Sequence, residues 1–421
     1  MAKRRCEDCA LPLILTTRRF NLFLLLMALL LAVLALHLPV WADVEEEKGP
    51  RPGLIGLEPL AEPLDQEASA QFQRETIAET YRKAALDRVK LIALAVSMAI
   101  LLLAFSRGSR PRLRRFTERL RGLLDWYTLG TITGLLLLGL IIPSGIVIGF
   151  FYNATPEGAY ASVALIASSA FLGFLRNLHL WASEAFLFVM FLHVARVVSM
   201  RTYLGKRKII WITGAVMLIT GWTSFLVGTF LKADQEGFEG FVHLMEAFRL
   251  APLGSLIDDF FSGPQTVMKL YIFHIALTTI AILVLIAPHV LLRKVHVHVT
   301  RRWKAGIKYA AVLTGVLVIL SVLVPAPFLG KPYYGIEITK PPWPYYFLVS
   351  AENLFGTTSM VWAPLAVFVP LFLLPYLVDW LPRLSRKRAQ LIGEVIFYIG
   401  VALLIGLSYW VAATGLVAHI F

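Results

Sequence analysis

Nine long apolar runs decide what this chain can fold into. They are Phe20–Val40, Val89–Phe105, Tyr127–Phe151, Phe186–Val198, Ile209–Leu231, Leu270–Leu292, Ala310–Val324, Val361–Leu381 and Val395–Val411. Most reach or approach the ~20 residues that a helix needs to cross the hydrocarbon core of a bilayer. Only helices and closed barrels satisfy their own backbone polar groups there, so the chain reads as all-α: a polytopic transmembrane bundle with about nine crossings. Of the 421 residues, 58% are apolar and 16% are charged. Soluble domains sit nearer one half and one quarter. That balance excludes a disordered chain, a nucleic-acid-binding domain and a disulfide-stapled module.

The net charge of +13 records topology. Basic residues cluster in alternate connections: Lys3–Arg5 with Arg18 and Arg19, Arg107–Arg115, Arg201–Lys208, Arg293–Lys304 and Arg383–Arg388. The connections between them carry acids such as Glu45–Glu47, Asp234, Glu236, Glu239, Asp258 and Asp259. Short Lys/Arg-rich loops stay cytoplasmic. The expected arrangement is an N-terminus inside and a C-terminus outside, in a bacterial inner membrane, with lipid rather than nucleic acid as the partner.

The first crossing has two readings, an uncleaved anchor or a secretory leader ending near Val40-Trp41-Ala42; the length of leader and apolar run favours the anchor. Residues 43–65 read as an extended linker, and Gln66–Lys90 as a helix running into the second crossing. Arg107–Arg121 reads as an amphipathic helix on the inner surface. Cys6 and Cys9 are the two cysteines. A Cys-x-x-Cys with no further ligand nearby reads as reduced thiols rather than a metal or redox site.

Four of the nine histidines lie within apolar crossings: His179 and His193 in one, His274 and His289 in another. Fourteen residues separate the first pair and fifteen the second. At ~100° and ~1.5 Å per residue, each pair returns to nearly one helix face, roughly 21–23 Å apart. Two such helices side by side present two His–His pairs, one near each membrane surface. Neutral imidazoles from both sides suit axial ligation of a low-spin haem iron. Interhelical hydrogen bonding is the plainer reading of any single histidine. Matched pairs favour ligation, because ionisable groups inside a membrane are costly and usually functional. Gly214 and Gly228, fourteen apart on the intervening helix, with Gly130 or Gly145 on the preceding one, offer gaps for a flat macrocycle. Arg176 and Arg196 are placed to meet propionates.

With Arg176-Asn177-Leu178-His179, His193-Val194-Ala195-Arg196, Trp211-Ile212-Thr213-Gly214, Gly228 and Asp234-Gln235 in order, the chain resembles cytochrome b of the quinol-oxidising cytochrome bc complexes. The unequal histidine spacing is similar to the photosynthetic-type branch. The resemblance covers roughly residues 125–415, as if the larger and smaller subunits of that branch were fused. It implies an extension over 1–122, a four-helix di-haem domain over 123–300 and a three-helix domain over 301–421. It implies two non-covalent b-type haems, one on His179 and His274 and one on His193 and His289, with a quinone pocket near each. Trp126–Gly130 lacks the cysteine that holds a covalent haem in some members, so no covalent haem is expected. The implied activity is that of a quinol:electron-acceptor oxidoreductase subunit. Its partners would be an iron–sulfur protein and/or a cytochrome c-type subunit, the quinone pool, and a second copy of the complex as a homodimer.

The chain departs from this family at the outer quinol loop. The usual Pro-Glu-Trp-Tyr is replaced by Pro341-Pro342-Trp343-Pro344-Tyr345-Tyr346, and proline cannot take a proton. Glu352 and Glu337 flank the motif. Residues Phe347–Phe355 have helix-compatible spacing, which puts Glu352 about two turns from Tyr345. A carboxylate among Trp343, Tyr345 and Tyr346 is the expected acceptor, so Glu352 is favoured, with Glu337 facing water. His296 and His298 read either as inner proton-uptake groups or as part of a basic loop; His37, His243 and His419 receive no role. Two other functions fit the same residues: a di-haem anchor passing electrons between quinone and a peripheral dehydrogenase or hydrogenase, and a non-redox transporter. Reduced-haem absorption bands separate the transporter from the rest, and a second quinone pocket separates the anchor.

Overall fold

The computed structural model describes residues 66–105, 118, 126–252, 254–296, 303–333, 337–379 and 386–414. The expected crossing Phe20–Val40, the cysteine pair, the linker 43–65, nearly all of Arg107–Arg121, and His37, His298 and His419 lie outside them.

Every secondary-structure element longer than a turn among the described residues is helical. In chain order these are α1 (Gln66–Phe105), α2 (Trp126–Gly149), α3 (Ala159–Ser168), α4 (Ala170–Ser199), α5 (Lys208–Phe230), α6 (Gln235–Leu250) and α7 (Gly254–Phe261). Then come α8 (Thr266–Leu292), α9 (Trp303–Leu323), α10 (Tyr346–Phe355), α11 (Ser359–Asp379) and α12 (Arg386–Ala413). Eight helices among the described residues are long and apolar enough to cross a membrane, and they coincide with the eight expected crossings that fall there. The Gln66–Lys90 stretch is continuous with its crossing, as its composition suggests.

Helix ends follow local chemistry. The Ser169 side chain accepts from Leu172 N at the start of α4, and Asp234 accepts from Gly237 N at the start of α6, each satisfying an otherwise orphaned donor. Gly356, at φ 83°, stops α10 in a conformation that other residues adopt at a cost.

Packing sorts the spans. α2 lies on α4, α5 on α8, and α9 on both α2 and α4. α1 packs on α4 and α12, and α10 is held between α11 and α12. Leu91, Leu94, Met98 and Leu101 of α1 enter the same core as Leu178, Phe186 and Leu187 of α4. Large apolar side chains such as Ile146, Val284 and Leu403 point outward and stay exposed, the surface that a lipid environment covers.

Two helices carry a π segment, Leu137–Ile141 in α2 and Phe273–Thr278 in α8. Such wide turns cluster at functional sites. Both lie beside histidine contacts.

Candidate functional site

His179 on α4 and His274 on α8 face each other with ring centroids 6.3 Å apart and planes at 73°. Their backs are fixed. His179 Nδ1 donates to Ile141 O at 3.0 Å, and His274 Nδ1 donates to Ser224 O at 2.9 Å. A carbonyl can only accept, so Nδ1 carries the proton in each ring and Nε2 presents its lone pair. Ser144 Oγ and Ser224 Oγ each lie a further 3.2 Å from these Nδ1 atoms. Ile141 closes the π segment of α2, and His274 lies inside that of α8. The two wide turns thus set an acceptor on one side and a histidine on the other.

His193 and His289 lie toward the opposite ends of α4 and α8. Thr213 Oγ1 is 3.2 Å from His289 Nδ1 and already donates to Ile209 O and Ile210 O. With its single hydrogen on either carbonyl, it can accept from His289 Nδ1, which leaves Nε2 without the proton.

Glycines line each ring. A Cβ on Gly145 would meet His179 Cε1 at 2.8 Å, on Gly130 His193 Cε1 at 2.9 Å, on Gly228 His274 Cε1 at 3.0 Å, and on Gly214 His289 Cε1 at 3.1 Å. The sequence reading chose between Gly130 and Gly145, but both are used, one per histidine of α4. It also gave these glycines to a macrocycle. Their space is occupied by the imidazoles themselves, because α2 and α5 run close enough behind the rings to hold them.

The residues fit a haem. A transition-metal–imidazole bond is roughly 2 Å long, so two such bonds with the ring radii on either side fill a separation like that of His179 and His274. Among the described residues no three His, Cys, Asp or Glu side chains converge as a metal site. Two ligands per site suit an iron that brings its equatorial nitrogens with it.

The arginines sit near the histidine levels. Arg176 donates to Ala326 O at 3.1 Å and Pro327 O at 2.8 Å and lies over the Phe328 ring, so much of its guanidinium serves the 325–340 segment. Arg196 is buried, with its guanidinium carbon 4.5 Å from the centre of the Tyr127 ring.

A second polar cluster lies on α6, at the His179 end. His243 Nε2 pairs with Glu337, and His243 Nδ1 lies 3.5 Å from Glu352. The sequence gives Glu337 to water, yet its side chain is only 18% exposed, the same as Glu352. The reason is Glu239, which accepts from Ile338 N at 3.0 Å and Thr339 N at 2.8 Å and so draws this segment onto α6. Asp234-Gln235 does the same upstream: Leu329 N donates to Asp234 at 2.9 Å and Tyr333 N to Gln235 at 2.7 Å.

Trp343, Tyr345 and Tyr346 are buried, but the two hydroxyls are committed elsewhere. Tyr345 donates to Trp222 O at 2.6 Å and Tyr346 to Asp87 at 2.9 Å. The partner of Glu352 is His243, a residue to which the sequence assigned nothing. Its signal was an imidazole among the acids of the Asp234–Asp259 connection.

Electrostatics follow burial and pairing. Burial opposes charge on His243, but hydrogen bonds to Glu337 and Glu352 override it and raise its pKa to about 10. Burial, reinforced by Glu337, pushes Glu239 up to about 7. Burial also works against Glu236, where Lys232 and Lys83 prevail and hold it near 2.

Comparison with known proteins finds relatives of one part of the chain. Residues 120–296 match the cytochrome b/b6/petB family. Cytochrome b6 of Heliomicrobium gestii is 26% identical over 170 residues, covering 38% of this chain and 80% of that protein. Cytochrome b6 of Synechococcus elongatus is 31% identical over 144 residues, 34% of this chain and 66% of that one. The cytochrome bc complex cytochrome b subunit of Chlorobaculum thiosulfatiphilum is 25% identical over 173 residues, 40% of each chain. Among solved structures, a chain of a hyperthermophilic respiratory complex III aligns with TM-score 0.49 at 16% identity, covering 69% of this chain and 92% of that one.

Proposed function

The chain carries a cytochrome b/b6-family domain over residues 120–296, and from that premise we propose that it oxidises quinol within a bc-type complex and carries electrons across the membrane on two b haems. It is an integral membrane electron-transfer subunit of an oxidoreductase complex. The observation that carries the two-haem reading is the His179–His274 pair, 6.3 Å apart with both Nδ1 atoms tied to backbone carbonyls, with Gly130 and Gly214 standing behind His193 and His289 as Gly145 and Gly228 stand behind the first pair.

When bound, the haems supply one-electron carriers at two depths. The protein does the rest. Ile141 O, Ser224 O and Thr213 Oγ1 fix the tautomer and orientation of three ligand rings, the outer-shell support on which ligation depends. Gly130, Gly145, Gly214 and Gly228 let α2 and α5 press those rings into place.

Quinol would bind at the outer face, beside α6. Val242 and Leu244, the neighbours of His243, belong to an apolar cluster with Phe230, Phe238, Phe241 and Leu270 suited to a quinone ring and tail. Glu352 would take the first proton and pass it through His243 to Glu337, which replaces the missing acid at Pro342. Arg176 and Arg196 remain the candidates nearest to the propionates. An iron–sulfur protein and/or a cytochrome c-type subunit would accept electrons, in a homodimeric complex of a bacterial inner membrane with the N-terminus in the cytoplasm.

Purification of the complex with a redox titration tests this reading. Two b-type components of different potential, both reducible by quinol, are expected. A single component, or none, would refute it.

A further inference from the structure

The helix α1, which precedes the family match, carries a polar stripe into the membrane. Thr76, Thr80, Lys83, Asp87 and Lys90 recur at helical spacing, and all five are buried. Near the α6 end of the stripe, Lys83 pairs with Glu236 and donates to Lys340 O at 2.5 Å. One turn deeper, Asp87 accepts from Tyr346 OH at 2.9 Å. At the bottom, Lys90 Nζ lies 2.9 Å from Asp87 and 2.7 Å from Glu184, with the Trp181 ring 5.4 Å from the same ammonium. Glu184 is the midpoint of α4, a span of 30 residues. It sits five residues from His179 and nine from His193, or about 7 and 13 Å along the axis.

Two carboxylates therefore share one ammonium in the middle of the membrane. With all three ionised, the triad carries an uncompensated negative charge where such a charge is least tolerated; one added proton neutralises it. A clamp that served only to hold α1 to α4 would need one acid. The charged and titratable groups that face Glu184 are Lys90, Asp87 and Lys83 on α1 and Tyr346 on α10, with Glu236 on α6 beyond Tyr346.

We propose that Asp87, Lys90 and Glu184 form an intramembrane proton-binding site, connected along the α1 stripe to the α6 end of the bundle and coupled to the electron held between His179 and His274. When quinol delivers an electron at that level, one proton from water at the α6 end adds to the Glu184 carboxylate. The proton leaves by the same stripe when the electron moves on. Only an O–H bond forms and breaks, and the charge added by the electron is offset within the low-dielectric core. The site rests on the haem reading above.

A redox titration of the purified complex at several pH values, read with reduced-minus-oxidised infrared spectra, tests it. The component lost in His179→Ala should shift with pH, by up to about 59 mV per tenfold change in proton concentration for one electron. A carboxyl C=O band should accompany its reduction and shift in D2O. Glu184→Gln should remove the band and flatten the slope, while Lys90→Arg, which keeps the charge, should move the pH at which the slope begins. Two intact haem components with a pH-independent potential, or with an undiminished slope in Glu184→Gln, would overturn the proposal and leave the haem reading standing. Absence of the two components would sink that reading first. If Glu184→Gln does not assemble, the wild-type infrared band and the Lys90→Arg shift decide the matter.

Discussion

Gly145 lies directly behind His179: a single added carbon on its Cα would stand 2.8 Å from the imidazole Cε1. The contact joins two helices at the level where His179 also donates to Ile141 O. The ring is thus held from behind by a hydrogen bond and by a backbone that has no side chain to push it away.

Gly145→Ala should displace that ring and weaken one haem site. Overpacking of this kind costs typically 1–3 kcal/mol, enough to lower haem occupancy several-fold. Gly134→Ala, on the same helix with nothing within 4 Å, should be silent. Haem content per polypeptide, measured for both variants, checks the pair; equal occupancy would mean that the glycine plays no part in ligation.

The four ligands should separate by pair. His179→Ala and His274→Ala should each remove the same spectral component, and His193→Ala and His289→Ala the other, because loss of one axial imidazole abolishes the low-spin geometry. Low-temperature difference spectra distinguish the two. Retention of both components in all four variants would refute bis-histidine ligation.

At the quinol loop, Glu352→Gln should slow quinol-driven haem reduction strongly, by roughly the 10²–10⁴-fold attributed to a positioned proton acceptor, with both haems in place. The geometry adds Glu337→Gln and His243→Asn, since both residues belong to the same relay. Stopped-flow reduction at saturating quinol reads the effect. Unchanged rates in the Glu352 variant would exclude it as acceptor.

His243 also makes stability depend on pH. Its pKa rises from 6.5 to about 10 on folding, so the folded state holds the proton more tightly. The contribution is complete below about pH 6.5 and is lost as pH rises through about 10, on the order of a few kcal/mol. Thermal unfolding of the detergent-solubilised protein should weaken across that window, and His243→Asn should flatten the dependence. A parallel loss in wild type and variant would place the titration elsewhere.

The sequence by itself determined the eight spans that fall among the described residues and the meeting of His179 with His274. Apolar run length and helical spacing are local properties, and a bilayer leaves few alternatives to a helix. The matching Gly214 and Gly228 were legible for the same reason. The tertiary structure alone decided what stands behind each ring. Ile141 O and Ser224 O are backbone acceptors, which no side-chain pattern reveals, and the π segments that accompany them are offsets of a single residue. It also decided that Glu337 turns inward to His243, because Glu239, about a hundred positions away in sequence, captures the intervening backbone. Glu184 lies two residues before the apolar run Phe186–Val198 and received no role from the sequence; its meaning waited on Lys90 and Asp87, ninety-odd residues earlier. Charges pair through space, and only the packing of α1 against α4 brings these three together.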